Sequence, residues 1–313
     1  MTMAGDPLSP RLRTALCGIP LANPVIAASG TFGYGVEMAP IVPLHKLGGF
    51  VVKGLSREPM RGNPPPRVHE TRAGMINSVG LQNIGVRAFV RDKLPLLRGC
   101  GTRIFANVFG YAVEDYVEVI RVLEDAGGID AYELNVSCPN TKHGGIVFSS
   151  DPALLAEVVA AAVKAASRPV FVKLSPNVAR IEPLARAAED SGAAALSLVN
   201  TFLGLCVDAR TRRPRLGAGF GGVSGPAIKP LALRLVYEAA RAVRIPVIGL
   251  GGILTGEDAA EFLVAGASAV QAGTATFADP AATVRIAAEL DEFCAREGVA
   301  SVASLVGTLQ WPS

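Results

Sequence analysis

The sequence predicts a (β/α)8 barrel, in which eight parallel strands close into a cylinder surrounded by helices. Short β-branched runs occur eight times, helical stretches lie between them, and 313 residues suffice for this fold. An open, doubly wound sheet is the alternative, but such sheets usually have fewer strands. Because no linker, low-complexity segment or charge block interrupts the pattern, residues 1–313 are predicted to form a single domain.

The predicted strands are apolar runs, as expected for strands buried on both faces. They comprise residues 25–29, 50–54, 104–108, 132–136, 170–174, 196–200, 247–252 and 269–273. Helices are predicted over residues 113–126, 151–167, 181–191, 227–243 and 256–265. Asp151 and Thr255 are the predicted N-caps of two of these helices, because their side chains can accept hydrogen bonds from the first turn.

Two connections are too long to be simple turns. Residues 55–82 follow the second strand and residues 201–226 follow the sixth, both at strand C-terminal ends, where barrel active sites lie. We therefore expect lids, binding loops or partner surfaces. The second connection contains "GAGFGG" (217–222), which matches a dinucleotide-binding pattern but follows no strand and precedes no immediate helix. We interpret it as a flexible glycine loop and not as an NAD site.

Charge and hydropathy exclude several classes of function. The 30 basic and 27 acidic residues give a net charge of +3 and are spread along the chain, so no nucleic-acid or polybasic membrane surface is predicted. Mean hydropathy is +0.37, yet no apolar run is long enough to span a bilayer, and the N-terminus lacks the apolar region of a signal peptide. We expect no membrane association.

The five cysteines are far apart and include no C-x-x-C pair. A disulfide framework, a metal site or an iron–sulfur cluster held by this chain alone is therefore not expected. A reducing cytoplasm fits best.

Five of the eight predicted strands carry a polar residue near the C-terminal end. These residues are Lys53, Asn107, Asn135, Lys173 and Asn200. Any one of them could be an ordinary strand-end residue, but five at the same rim indicate a binding site. Lys173 has no acidic neighbour in "VFVKL", and an unpaired buried lysine is costly, so we expect a polar, planar, anionic ligand.

Glycines follow the last two strands, at Gly251, Gly252 and Gly273, with Thr274 next. Barrels commonly bind phosphate at these two loops through backbone N–H groups. A phosphate site on one side of the mouth and lysine and asparagine on the other predict flavin mononucleotide (FMN) as the cofactor.

Several long motifs resemble those of the dihydroorotate dehydrogenases. They are "GMINSVGLQN" (74–83), "NVSCPN" (135–140), "FVKLSPN" (171–177), "SGPAIKPLALR" (224–234), "GLGGI" and "AVQAGTA". The resemblance runs from about Gly18 to Pro280. The fourth-strand motif contains a cysteine, as in class 1 of this family, whereas class 2 has a serine at that position. The chain therefore resembles class 1. The segments "GTFGYGVE" (30–37) and "GNPPPRVHET" (62–71) resemble the catalytic subunit of subclass 1B.

This resemblance implies that (S)-dihydroorotate is oxidised to orotate in pyrimidine biosynthesis. Cys138 would take a proton from C5 of the substrate while a hydride leaves C6 for FMN. The substrate residues that it implies are Lys53, Asn77, Ser78, Val79, Gly80, Leu81, Asn135, Asn140, Asn200 and Thr201. The FMN residues that it implies are Ser29, Lys53, Gly54, Asn107, Asn135, Lys173, Val199, Gly225, Gly251, Gly252, Gly273 and Thr274.

Subclass 1B also implies a partner. Its catalytic subunits pass electrons to NAD through a separate subunit that bears FAD and a [2Fe–2S] cluster, in an α2β2 assembly. We therefore expect a homodimer of this chain within such a heterotetramer, with FAD and the cluster on the partner.

Three alternatives remain. A dihydropyrimidine dehydrogenase-like enzyme would act on uracil or thymine, but Lys53 suits the carboxylate of orotate, which uracil lacks. A non-redox, phosphate-binding barrel enzyme would contain no flavin. A non-catalytic scaffold would have no use for lysines inside a barrel.

Overall fold

The computed structural model describes residues 9–137, 139–140 and 146–312, with only the backbone described for residues 139, 140, 146 and 147. Its strands are β1 (Thr14–Leu16), β2 (Ile19–Leu21), β3 (Val25–Ala27), β4 (Gly49–Leu55), β5 (Val68–Thr71), β6 (Gly74–Asn77), β7 (Arg103–Val108), β8 (Ala131–Asn135), β9 (Pro139–Asn140), β10 (Ile146–Val147), β11 (Val170–Lys173), β12 (Ala195–Leu198), β13 (Phe202–Leu205), β14 (Val207–Asp208), β15 (Arg213–Pro214), β16 (Phe220–Ser224), β17 (Val247–Leu250) and β18 (Ala269–Ala272).

The α-helices are α1 (Val86–Asp92), α2 (Leu94–Leu97), α3 (Val113–Ala126), α4 (Pro152–Ala165), α5 (Glu182–Asp190), α6 (Lys229–Ala242), α7 (Gly256–Val264), α8 (Ala275–Ala278) and α9 (Ala282–Arg296). Short 3-10 helices lie at Pro10–Leu12, Leu44–Lys46, Phe148–Ser150, Pro226–Ile228 and Val302–Leu305. None of the helices in the described ranges is both long and apolar enough to cross a membrane.

The predicted (β/α)8 barrel is confirmed. Strands β3, β4, β7, β8, β11, β12, β17 and β18 pair in parallel in this order and close into a ring. Each predicted strand and helix is present, with ends shifted by a few residues. The predicted N-caps are also present: Asp151 Oδ1 accepts from the amide of Ala153 at 2.8 Å, and Thr255 Oγ1 accepts from the amide of Asp258 at 3.1 Å.

The inside of the barrel changes from apolar to polar along the strand direction. Near the N-terminal ends, the inward residues form one apolar cluster, which comprises Ile26, Val51, Phe105, Ala131, Phe171, Ala195, Ile248 and Ala269. Inward residues alternate along a strand, so the next layer begins two residues later. On six strands that layer is polar: Lys53, Asn107, Glu133, Lys173, Ser197 and Gln271.

A hairpin of β1 and β2 covers the apolar end of the barrel. Its residues Leu16, Ile19 and Leu21 belong to the same buried cluster as the lower barrel residues. Apolar side chains therefore fill this end of the barrel, and the opposite end is left for polar groups.

The sequence predicted lids, binding loops or partner surfaces in the two long connections. In the structure, these connections form a shared sheet at the C-terminal mouth. Strands β5 and β6 come from the first and β13 and β16 from the second, in the antiparallel order β13–β16–β6–β5. The interpretation of "GAGFGG" as a flexible loop is therefore wrong in part, because Phe220, Gly221 and Gly222 lie in β16. The pairing of β6 with β16 joins residues more than a hundred positions apart, so no short stretch of sequence indicates it.

Candidate active site

A cavity of about 410 Å³ opens at the C-terminal mouth of the barrel, beneath the four-stranded sheet. Most of the residues predicted to bind substrate or cofactor line it. They are Ser29, Lys53, Gly54, Asn77, Ser78, Val79, Gly80, Leu81, Asn107, Asn135, Lys173, Val199, Asn200, Thr201, Gly225, Gly251, Gly252, Gly273 and Thr274. Cys138 lies outside the described residues. Asn140 belongs to β9, and only its backbone is described.

The carboxylate of Glu133 lies at the centre of the polar layer and is completely buried. Its Oε1 accepts a hydrogen bond from Asn107 Nδ2 at 2.9 Å. Its Oε2 accepts from Ser197 Oγ at 2.8 Å and from Gln271 Nε2 at 2.7 Å. Three barrel strands besides β8 thus donate hydrogen bonds to one carboxylate.

The expectation that Lys173 has no acidic neighbour is wrong. Lys173 is 6% exposed, and its Nζ lies 3.8 Å from Glu133 Oε1, which is an ion-pair distance but too long for a hydrogen bond. The acid is on the neighbouring strand β8, so the segment around Lys173 does not reveal it. The ion pair compensates the charge of Lys173, and no group in the described part of the chain accepts a hydrogen bond from its ammonium.

Lys53 reaches the cavity from an irregular part of β4. The pairing of β4 with β7 shifts register between Val52 and Leu55, and the Lys53 amide donates to Gly33 O at 2.8 Å instead. Such irregularities redirect side chains near active sites. Gly54 leaves room beside it, since a Cβ there would lie 2.9 Å from Asn107 Oδ1.

The Lys53 ammonium has neither a hydrogen bond nor an ion pair within the described ranges. Burial alone lowers the pKa of Lys53 below its ordinary value. A half-buried cation without a counter-ion in these ranges is a site for an anionic group of a ligand.

Asparagines form a second polar cluster on the other side of the mouth. Asn200 Nδ2 donates to Asn135 Oδ1 at 3.2 Å and to Ser137 Oγ at 3.0 Å, and Asn200 Oδ1 accepts from the Thr201 amide at 2.8 Å. The Asn135 amide nitrogen donates no hydrogen bond in the described part of the chain, although this residue lines the cavity. It can donate to a carbonyl or carboxylate oxygen of a ligand.

Backbone amides from three loops form a cradle on the phosphate side of the cavity. The N–H groups of Gly225, Gly252 and Thr274 donate no hydrogen bond to the described part of the chain. Gly252 has φ +82°, and a Cβ there would lie 2.9 Å from Gly225 O, so glycine is required. Free N–H groups in such a concave arrangement favour a phosphate.

The model of the family described as dihydroorotate dehydrogenase matches residues 11–294. The chain belongs to the dihydroorotate dehydrogenase family.

Individual family members differ in the electron acceptor that their names state. A Solibacter usitatus protein, provisionally named dihydroorotate dehydrogenase A (fumarate), is 72% identical over 97% of this chain and 100% of its own length. A Geobacter metallireducens protein and a Geobacter sulfurreducens protein are both named dihydroorotate dehydrogenase B (NAD(+)), catalytic subunit. They are 51% and 52% identical, each over 96% of this chain and 99% of its own length.

Membership of the dihydroorotate dehydrogenase family implies a flavin cofactor. The cavity fits such a group by three observations. Among the residues that the structure describes, the amide cradle has free donors, the ammonium groups of Lys53 and Lys173 find no hydrogen-bond acceptor, and Gln271 Oε1 is buried without a hydrogen-bond partner. A phosphorylated ring system with both donors and acceptors can satisfy all three.

Sequence reasoning missed Glu133, Ser197 and Gln271, which build the floor of the site. The signal was present, because a charged or amide side chain inside a buried parallel strand is unusual. Glu133, Ser197 and Gln271 lie in the same inward layer as Asn107 and Lys173, so the period of two along each strand indicates them.

The isolated charge of Lys53 predicts a stability change that depends on pH. Below the folded-state pKa, Lys53 is charged in both states and its burial destabilises the folded protein. As the pH rises toward the ordinary pKa of 10.5, the folded state loses the proton first and this penalty disappears. Without ligands, Lys53→Met should therefore unfold about 1–2 °C above the parent protein at neutral pH, the shift that about 1 kcal/mol produces in a chain of this length.

The difference should shrink as the pH approaches 10, as measured by thermal unfolding at several pH values. Lys164→Met, at an exposed position on α4, is the matched control and should leave the melting temperature nearly unchanged. A less stable Lys53→Met protein at neutral pH would show that the ammonium has a stabilising partner.

Proposed function

We propose that this chain oxidises (S)-dihydroorotate to orotate in pyrimidine biosynthesis, with FMN as its cofactor. The observation that carries the proposal is that one cavity collects an amide cradle, two lysines and an asparagine cluster. Each of these features suits a part of the two ligands. The proposed enzyme is a single-domain protein of the cytoplasm. Its described cysteines are all free, which agrees with a reducing compartment.

The proposed roles follow from the chemistry of each group. The amides of Gly225, Gly252 and Thr274 would hold the phosphate of FMN. Lys53 would bind the substrate carboxylate, because its ammonium has no other partner in the described ranges. Asn135 and Asn200 would contact the pyrimidine edge, since each amide offers both a donor and an acceptor. FMN, when bound, would supply a hydride acceptor for C6 of the substrate.

We propose Cys138 as the base that removes the proton from C5. It lies outside the described residues, and the proposal rests on the motif "NVSCPN" and on Ser137, the preceding residue, which lines the cavity. A thiol of ordinary pKa near 8.5 can act as a base close to neutral pH when its surroundings favour the thiolate.

Anaerobic bleaching of the flavin tests the proposed reaction. Purified protein should be yellow and release FMN on denaturation, and dihydroorotate should bleach its visible absorbance. Dihydrouracil should not, because it lacks the carboxylate that Lys53 would bind. Bleaching by dihydrouracil instead would indicate an enzyme of uracil or thymine. A colourless protein that takes up no FMN would support a non-redox, phosphate-binding barrel.

The Cys138→Ala protein tests the proposed base. It should bind FMN as tightly as the parent, because the cradle and both lysines are unchanged. Reduction by dihydroorotate should slow on the order of 100-fold or more, the usual effect of losing a general base. Stopped-flow measurement of flavin bleaching gives the rate, and a parent-like rate would remove Cys138 from this role.

For the electron acceptor we propose NAD, reached through a partner subunit that carries FAD and a [2Fe–2S] cluster in an α2β2 assembly built on a homodimer of this chain. The names of the two Geobacter proteins support this proposal. Direct transfer to fumarate is the second candidate, because the Solibacter usitatus protein with 72% identity is named for fumarate.

Turnover of the isolated chain separates the two acceptors. If a partner subunit is required, dihydroorotate oxidation with NAD alone should be at background level, and co-expression with the partner should restore it. Fumarate should then give no significant turnover. Rapid oxidation of dihydroorotate by the isolated chain with fumarate would reject the partner proposal and establish the second candidate.

A further inference from the structure

The Glu133 carboxylate connects opposite sides of the barrel. Glu133 lies on β8 and Gln271 on β18, and three strands separate β8 from β18 in either direction around the ring. The 2.7 Å hydrogen bond between them therefore crosses the barrel interior. This bond sets the depth of the cavity floor, because both side chains are almost completely buried.

Glu133 also determines which end of the Gln271 amide faces the carboxylate. A carboxylate can only accept hydrogen bonds, so Gln271 has to present its NH2 group to Glu133. Its Oε1 is consequently directed away from Glu133, and this atom is buried without a hydrogen-bond partner in the part of the chain that the structure describes. Gln271 also lines the cavity, so this unsatisfied acceptor belongs to a side chain in the cavity wall.

The effect of Glu133 on Lys173 is electrostatic. At 3.8 Å the carboxylate offsets the ammonium charge without accepting one of its hydrogens. Lys173 therefore keeps its donors for a ligand in the cavity while its net field is reduced. Asn107 and Ser197 hold the carboxylate in this place by their hydrogen bonds.

We propose that Glu133 is a positioning residue for the flavin, which fixes the Lys173 ammonium and turns the Gln271 carbonyl oxygen toward the flavin ring. This inference rests on the flavin chemistry proposed above. According to this inference, Glu133 also controls the reduction potential of the bound flavin. Without the carboxylate, the full charge of Lys173 acts on the ring and favours the more negative, reduced flavin.

The decisive variant is Glu133→Gln, which keeps the shape of the side chain and removes its charge. In the FMN-loaded protein, the affinity for reduced relative to oxidised flavin should rise about tenfold. For a two-electron couple this corresponds to a potential about 30 mV more positive. Spectroelectrochemical titration measures it. A ratio within threefold of the parent, or a shift to more negative potential, would overturn the inference.

Ser197→Ala is the matched control. It removes one hydrogen bond to the same carboxylate but leaves its charge intact, and Ser197 does not line the cavity. It should lower the melting temperature and leave the potential unchanged. A potential shift as large as that of Glu133→Gln would show that packing, and not charge, controls the flavin, and would overturn the inference.

A second variant keeps the inference testable if Glu133→Gln does not fold. Gln271→Leu removes the directed acceptor and retains both charges, so FMN should dissociate about tenfold more readily. Unchanged FMN affinity would overturn the proposed orientation of Gln271. A parent protein without any flavin would overturn both this inference and the proposed function. Normal bleaching by dihydroorotate, together with an unchanged potential in Glu133→Gln, would overturn this inference alone.

Discussion

The burial of one carboxyl group inside the barrel is the constraint on which the rest of the site depends. A buried charge is tolerated only when charges and hydrogen-bond donors surround it. Glu133 obtains these from β7, β11, β12 and β18, so the strands must close into a ring before the carboxylate is satisfied. The same contacts divide the interior into an apolar part below and a polar part above.

This division separates the tightly packed part of the barrel from its polar mouth. Phe105 and Phe171 pack below the carboxylate with their ring centroids 5.7 Å apart, and they belong to the apolar cluster that the β1–β2 hairpin completes. In the layer of the carboxylate itself, Lys173 forms an ion pair with Glu133 and Gln271 donates a hydrogen bond to it. The lower barrel supplies stability, and the upper barrel is left to bind ligands.

The sequence predicted the barrel and the location of the site because both have local signals. Apolar runs mark the strands, and polar strand ends such as Lys53 and Asn107 mark the mouth. The Glu133–Gln271 bond joins residues 138 positions apart, and nothing near either residue indicates its partner. The β6–β16 pairing is equally remote in sequence, so the sheet over the cavity was not foreseen. The role of Cys138 came from family resemblance alone.

The relatives named for fumarate and for NAD cover nearly all of this chain, so neither name is tied to an extra or missing part of the barrel. If both kinds of relative oxidise dihydroorotate in the same way, one barrel interior can serve enzymes with either electron acceptor. Differences that select an acceptor would then be expected on outer surfaces.

The β1–β2 hairpin also limits the routes by which ligands can enter and leave the barrel. Because the hairpin covers one end of the cylinder, the described part of the barrel forms a cavity that is closed at that end and not a tunnel. Two ligands that bind in such a cavity must enter and leave through the same opening. The ligand that binds deeper must therefore bind first and dissociate last.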